Sequence, residues 1–104
     1  MADIRTFAPG YGTGIEFATS TTSTNQALRP GSQQVVVTNL DATNRVYFRT
    51  TAADTGTEGT ATNADYCVLP GQQVSITRAQ DHGRIAVVAA AGTPTVHVIT
   101  GDGI

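Results

Sequence analysis

The chain has 104 residues, of which only 13% are charged, with a formal net charge of −2 and a pI near 5.4. The length suits one domain, and the lack of a basic patch argues against binding nucleic acid through its phosphates. The longest apolar run, residues 85–91, is too short to span a bilayer, so no membrane partner is expected.

The cysteine content indicates the compartment in which the chain folds, and the type of cation indicates whether its surface favours assembly. All six cations are Arg, and Cys67 is the single cysteine, so no internal disulfide can form. The first five residues lack the apolar core of a signal peptide, and we expect synthesis in a reducing cytoplasm. A surface without Lys carries fewer flexible charges to immobilise, which favours assembly with neighbouring subunits.

Residues 1–27 are predicted to form an N-terminal arm and a first edge strand. Gly and Pro between positions 9 and 14 oppose a helix, and only residues 15–19 have strand character. Phe7, Tyr11 and Phe17 are spaced through this part. Two interpretations stay open: a terminus that closes over its own domain, or an arm whose aromatic side chains anchor on an adjacent subunit.

Residues 28–104 are predicted to form the β-sandwich domain. Two Pro-Gly turns, at Pro30 and Pro70, each precede a Gln-Gln-Val strand, and Gly in such a turn tolerates the positive φ of type II geometry. Short runs with period two or β-branched residues predict strands at 34–39, 45–50, 65–69, 73–78, 84–90 and 95–100. No helical period occurs, so the fold class is all-β: a single-domain sandwich or jelly roll of about seven short antiparallel strands.

The core and two connections follow from the same pattern. The short link at 40–44 predicts that residues 34–50 form an antiparallel hairpin. Residues 51–64 have no apolar period and predict a long exposed loop, with a loop that contains a short edge strand as the alternative. The predicted core residues are Val35, Val37, Val46, Phe48, Val68, Val74, Ile76, Ile85, Val87, Val96 and Val98.

The strand at 84–90 carries apolar side chains on both faces, with Ile85 and Val87 on one and Ala86 and Val88 on the other. This pattern is typical of a central strand, or of a strand whose outer face is covered. His97 and Ile99 are expected on the outer face of the last strand. We therefore expect oligomer contacts through the outer faces of both strands.

No catalytic, cofactor or metal site is predicted. Neither histidine has a partner at metal-ligand spacing, and Cys67 is predicted to be a small buried filler. Asp54, Glu58 and Asp65 are rich in oxygen ligands, but their spacing matches no calcium-binding loop, and a solvated loop is the simpler interpretation.

The most binding-like cluster is Tyr47 between Arg45 and Arg49 on one strand face. Long side chains lying along an ordinary solvent face are the alternative interpretation. A carbohydrate-binding module that uses Tyr47 and the 51–64 loop is one hypothesis for function.

Four phrases carry a resemblance: Pro-Gly-Gln-Gln-Val, Asn-Arg-Val-Tyr-Phe-Arg, Gly-Arg-Ile-Ala-Val-Val-Ala-Ala-Ala-Gly-Thr-Pro-Thr-Val-His-Val and the tail Thr-Gly-Asp-Gly. Over residues 28–103 the chain resembles the small β-sandwich virion proteins of tailed bacteriophages, and among them the capsid decoration (cement) proteins. The resemblance implies a homo-oligomer, often a trimer, on the outer capsid surface. It would bridge subunits of the major capsid protein and stabilise the shell.

Other virion roles remain open, such as a head fibre base, a neck or tail protein, or a receptor-binding module. The residues expected at an interface are Phe7, Tyr11, Phe17, Arg45, Tyr47, Arg49, Ala86, Val88, His97 and Ile99.

Overall fold

The computed structural model describes residues 8–31 and 33–102, and within them it contains strands, turns and loops. The strands are β1 (Ala8–Pro9), β2 (Ile15–Ala18), β3 (Thr24–Ala27), β4 (Gln34–Asn39), β5 (Val46–Thr51), β6 (Tyr66–Val68), β7 (Gln73–Thr77), β8 (Arg84–Ala89) and β9 (Thr95–Asp102). The predicted all-β class is confirmed. In the described part of the chain no helix is long and apolar enough to cross a membrane.

The strands form two antiparallel sheets, which we name sheet A and sheet B. In sheet A, β9 pairs with β4 on one side and with β1 and β2 on the other, and β7 lies beyond β4. Sheet B has the order β3-β8-β5-β6. β8 is therefore central, as its apolar residues on both faces predict.

The core lies between the sheets and follows the alternation of the strands. The prediction of its members is confirmed for all but Ile76, which is partly buried and packs against the core from the edge strand β7. Leu28 and Ala89, which were not among the predicted residues, also belong to it. The buried core residues are Leu28, Val35, Val37, Val46, Phe48, Val68, Val74, Ile85, Val87, Ala89, Val96 and Val98.

The predicted hairpin over residues 34–50 is wrong, because β4 and β5 lie in different sheets. The link between them crosses the sandwich and is held by Asn39, whose side chain is fully buried. Its Nδ2 donates to the carbonyl oxygens of Asn44 at 2.8 Å and Val68 at 3.3 Å, and its Oδ1 accepts from the Asp41 amide at 3.0 Å. The turn formers in this link serve a crossing as well as they serve a hairpin.

The second Pro-Gly turn makes a second crossing between the sheets, from β6 in sheet B to β7 in sheet A. The Gln72 amide donates to the Leu69 carbonyl oxygen at 3.0 Å, and Gly71 has a φ of 72°, as a type II turn requires. The Gly71 amide donates to the Asn39 carbonyl oxygen at 3.1 Å. Asn39 therefore ties both crossings together.

The described part of the first 27 residues is built into the sandwich. β1 and β2 pair with β9, and β3 pairs with β8. β3 has the sequence Thr-Asn-Gln-Ala, which lacks apolar alternation, and it was not predicted as a strand. Residues 1–7, and with them Phe7, lie outside the described residues.

Candidate functional site

The outer face of sheet A is broad and almost uncharged. Pairing register places these described residues on it: Glu16, Ala18, Gln34, Val36, Thr38, Gln73, Ser75, Thr77, Thr95, His97 and Ile99. Glu16 is the one charged residue among them. Two side-chain amides form hydrogen bonds across neighbouring strands: Gln34 donates to the Thr77 hydroxyl at 2.8 Å, and Gln73 donates to the Thr38 hydroxyl at 2.9 Å. Among the described residues, the face is therefore polar and presents a single charge, that of Glu16.

Apolar side chains occupy the middle of this face. Val36 lies opposite Ile99 in the pairing of β4 with β9, and Val36 is only 8% exposed. His97 lies on the same face between Glu16 and Thr38, where the sequence pattern places it. A Cβ at Gly14 would lie 2.9 Å from His97 Nε2, so the glycine allows close packing beside the ring.

Part of the outer face of sheet B is covered by the chain's own long connection, residues 52–65, which we name the cover loop. Asn25 Nδ2 donates to the carbonyl oxygens of Ala53 at 3.1 Å and Gly59 at 2.9 Å. Ala86 lies between Asn25 and Arg49 in the pairing of β8, and it is fully buried. The cover loop has no strand, and most of its residues are exposed as predicted, but it also packs over β8.

An ion pair fastens the C-terminal end of the cover loop. Arg49 Nη2 donates to Asp65 Oδ1 at 2.9 Å, and Arg49 Nε lies 3.1 Å from both carboxylate oxygens. This hydrogen bonding raises the pKa of Arg49. Asp65 Oδ2 also accepts the Thr62 amide at 2.8 Å, so one carboxylate holds both β5 and the loop.

Beside the cover loop is a groove of about 440 Å³, which we name the Tyr47 groove. Arg45 Nε donates to the Tyr47 hydroxyl at 2.7 Å, and the guanidinium carbon lies 5.9 Å from the ring centroid. The hydrogen bond to Tyr47 raises the pKa of Arg45. The lining also includes Thr21, Thr62, Asn63 and Val88, and none of the described residues that line it is acidic.

The residues predicted for an interface fall into separate places. Arg45, Tyr47 and Val88 meet in the Tyr47 groove, whereas Arg49 and Ala86 lie in or under the contact with the cover loop. His97 and Ile99 lie on sheet A, and Tyr11 is 89% exposed in the turn before β2.

Two expectations need correction. Phe17 packs against this chain's own core, because register places it opposite Val96 on the inner face. β8 and β9 belong to different sheets, so their outer faces point to opposite sides of the sandwich and cannot form one continuous contact.

Cys67 was predicted to be a small buried side chain, but it is half-buried. It lies opposite Tyr47 in the pairing of β5 with β6, on the outer face of sheet B. His82 Nδ1 and the Thr50 hydroxyl are 3.0 Å apart, beside a smaller groove that Arg49, Glu58 and Asp65 also line. Over residues 8–31 and 33–102 no three His, Cys, Asp or Glu side chains group as metal ligands.

Arg78 has a structural role that the sequence did not signal. Its side chain is 7% exposed, and its Nη2 donates to the Arg29 carbonyl oxygen at 2.6 Å. Its Nη1 donates to the His82 carbonyl oxygen at 3.3 Å. Burial lowers the pKa of Arg78. Arg78 therefore joins two turns, and nothing in its local sequence separates it from an exposed strand-end cation.

Comparisons with models of known protein families, with curated protein sequences and with solved structures each find no match for this chain. Function must therefore be inferred from the chemistry of the two outer faces and from the resemblance of residues 28–103.

Proposed function

We propose that this protein is a structural component of a tailed-bacteriophage virion, a capsid decoration protein. It binds the outer surface of the major capsid protein shell and stabilises it by bridging neighbouring subunits. The resemblance of residues 28–103 to small virion β-sandwiches supports this role. The observation that carries the proposal is the broad, nearly uncharged outer face of sheet A, which is suited to being covered by another protein surface.

Covering this face has a low desolvation cost. Glu16 is the only described charge on it, and the amides of Gln34 and Gln73 already have hydroxyl partners within the sheet. Burying charged or unpaired polar groups opposes association, and ordering long flexible side chains adds an entropic cost. Such terms are small here. At the centre, Ile99 is half-buried and supplies exposed apolar area, whereas Val36 beside it is already buried within the sheet.

The size of the face indicates that one contact is not enough. The strands of sheet A have between two and eight residues, and at about 3.4 Å per residue and about 4.8 Å between strands the sheet covers roughly 400 Å². A stable interface buries about 800 Å² on each partner. A single copy would therefore bind weakly through this face alone. Several linked copies gain affinity through effective concentration, so the proposed unit is a homo-oligomer, with a trimer as the expected state.

Binding to capsids tests the proposal directly. Purified protein would be titrated onto shells of the same phage assembled without it, and bound protein measured after sedimentation. We expect saturable binding and a higher temperature of capsid disruption. If folded protein shows no saturable binding, the proposal is wrong.

A matched pair of charge insertions tests the face. Ser75 lies exposed on the outer face of sheet A, and Thr55 lies exposed in the cover loop. Ser75→Lys would place an unpaired cation in the contact and should weaken capsid binding by about tenfold or more. Thr55→Lys should bind as the wild type does. Equal binding by the two variants would exclude sheet A as the contact face.

The oligomeric state and the position on the particle give further checks. Light scattering at the concentration that saturates capsids should show a trimer, and a monomer there would remove the oligomeric part of the proposal. Immunogold labelling of whole particles should mark the capsid shell. Labelling confined to the neck or tail would instead identify another structural component of the virion.

A further inference from the structure

We propose that the Tyr47 groove binds an acidic carbohydrate, that is, a glycan whose sugar units carry carboxylate groups. This site lies on the outer side of sheet B, away from the proposed capsid contact on sheet A. It is a second binding activity, and it does not depend on the decoration role. Three properties of the groove support it: an unpaired cation, an aromatic ring with hydroxyl and amide neighbours, and walls that are already fixed.

Arg45 is a cation that no carboxylate of the described residues neutralises. Over residues 8–31 and 33–102 the salt bridge present is that of Arg49 with Asp65, and Arg84 donates to the Asn25 side chain. Arg45 instead uses Nε to donate to the Tyr47 hydroxyl, which holds the guanidinium in the lining of the groove. Its two Nη groups can donate to a carboxylate in a paired geometry.

The rest of the lining suits a sugar. Tyr47 is half-buried and presents a ring beside the hydroxyls of Thr21 and Thr62 and the amide of Asn63. Val88 contributes an apolar surface. A ligand site of this kind combines apolar area with a few placed polar groups, and a volume of about 440 Å³ lies in the range of small-ligand sites.

The wall of the groove is fixed before any ligand arrives. The Ala61 amide donates to the Ser23 hydroxyl at 2.9 Å, and the Thr62 amide donates to Asp65 at 2.8 Å. On the other side, the Ala90 amide donates to the Arg45 carbonyl oxygen at 3.0 Å. A site that is already ordered loses little conformational entropy on binding.

An acidic peptide is the competing ligand class, and the sheet pairing disfavours it. Extended peptides commonly bind by adding a strand to a free sheet edge. Tyr47 lies in β5, and this strand is paired with β6 on one side and β8 on the other. The groove therefore offers side chains and loop surface but no free strand edge.

The test is a titration of the full chain with three probes, followed by NMR chemical shifts or calorimetry. The probes are oligogalacturonate, a neutral galacto-oligosaccharide of the same length, and a poly-glutamate peptide of the same charge. The variants are Tyr47→Ala and Arg45→Gln. The matched controls are Tyr11→Ala, which removes an exposed ring elsewhere, and Arg29→Gln, which removes an exposed cation elsewhere. Circular dichroism confirms that each variant is folded.

We expect oligogalacturonate to bind at least about tenfold more tightly than the neutral sugar. Tyr47→Ala should weaken binding of both sugars by about tenfold, and Arg45→Gln should abolish the preference for the acidic one. Binding by the two control variants should be unchanged. The proposal is overturned if oligogalacturonate does not bind, if the controls lose as much affinity as the groove variants, or if poly-glutamate binds equally tightly through the same residues.

Discussion

The outer faces of the two sheets differ in what lies over them. The cover loop lies over sheet B, where Asn25 and Arg49 hold it on either side of the fully buried Ala86. No such loop is bonded to the described residues on the outer face of sheet A, where the amides of Gln34 and Gln73 donate to the hydroxyls of neighbouring strands. A sheet face that is apolar needs a cover, whereas a face with paired amides and hydroxyls can remain in water until a partner arrives.

This contrast separates two kinds of surface. The sheet B side has a groove with hydrogen-bonded walls, which suits a small ligand, and the sheet A side is a broad, nearly uncharged sheet face, which suits a protein surface. The substitutions below test whether the cover loop and the crossings between the sheets maintain that separation.

The largest effect is expected for Asn39→Ala, because Asn39 ties together the two crossings between the sheets. The change removes bonds to Asn44 and Asp41 and leaves the Val68 carbonyl oxygen without this partner. Unfolding in urea should show a loss of about 2–4 kcal/mol in the free energy of unfolding. Asn63→Ala, an exposed position in the cover loop, should change it by less than about 0.5 kcal/mol. Equal effects would mean that the crossings are not coupled through Asn39.

A valine introduced on each outer face should give unequal results. Ala86→Val adds two methyl groups beneath the cover loop and should cost about 1–3 kcal/mol through overpacking. Ser75→Val on the exposed edge strand of sheet A should change stability by less than about 0.5 kcal/mol. Thermal unfolding of the two variants makes the comparison. If Ala86→Val were as stable as Ser75→Val, the cover loop would not pack closely on β8.

A smaller loss, about 1–2 kcal/mol, is expected for Asp65→Asn, since its partner Arg49 is about a third exposed and solvent weakens the pair. Hydrogen exchange should become faster for the amides of residues 52–64, while β4 and β9 stay protected. Asp54→Asn is the matched control, because it changes an exposed carboxylate of the same loop. Unchanged exchange in Asp65→Asn would show that the ion pair does not fasten the loop.

The smallest effect concerns pH and the first crossing. Hydrogen bonds from the backbone amides of Asn44, at 2.7 Å, and Thr43, at 3.1 Å, hold the pKa of Asp41 below its ordinary value of 3.8. Because the pKa of Asp41 is lower in the folded state, its ionised carboxylate stabilises the fold at pH values above the ordinary pKa. This stabilisation is lost as the pH falls through the pKa of the folded state.

The Tm difference between the wild type and Asp41→Asn should therefore shrink below about pH 4. NMR titration should place the Asp41 pKa below 3.8. A difference that stays constant down to the lowest pH would contradict this assignment.

Local pattern was enough to predict most strands and the core. Period-two alternation gave the inward side chains of β5 and β7, and the three valines of β4 indicated its deeper burial, which its central place between β9 and β7 explains. β3 was missed because its inward residues, Thr24 and Gln26, are polar, and the strand is defined by its partner β8. Sheet membership failed for the same reason: β4 and β5 pair with distant strands that a turn sequence does not reveal.

The Tyr47 groove was predictable in part. Alternation predicted Arg45, Tyr47 and Arg49 on one face; the register of β5 confirms this for Tyr47 and Arg49, and Arg45 directly precedes the strand. It could not divide them, because Arg49 bonds to Asp65 and to backbone carbonyl oxygens of the cover loop, at Thr57 and Glu58, and the conformation of that loop has no periodic signature. Arg45 remains in the lining of the Tyr47 groove, where none of the described lining residues is acidic.

A reconstruction of decorated capsids by electron cryomicroscopy tests the central claim most directly, since it shows which side of the sandwich meets the shell. We expect the outer face of sheet A to lie against the capsid, with the cover loop and the Tyr47 groove directed to solvent. A map in which the cover loop side contacts the capsid while sheet A faces solvent would contradict it, as would a map without bound protein.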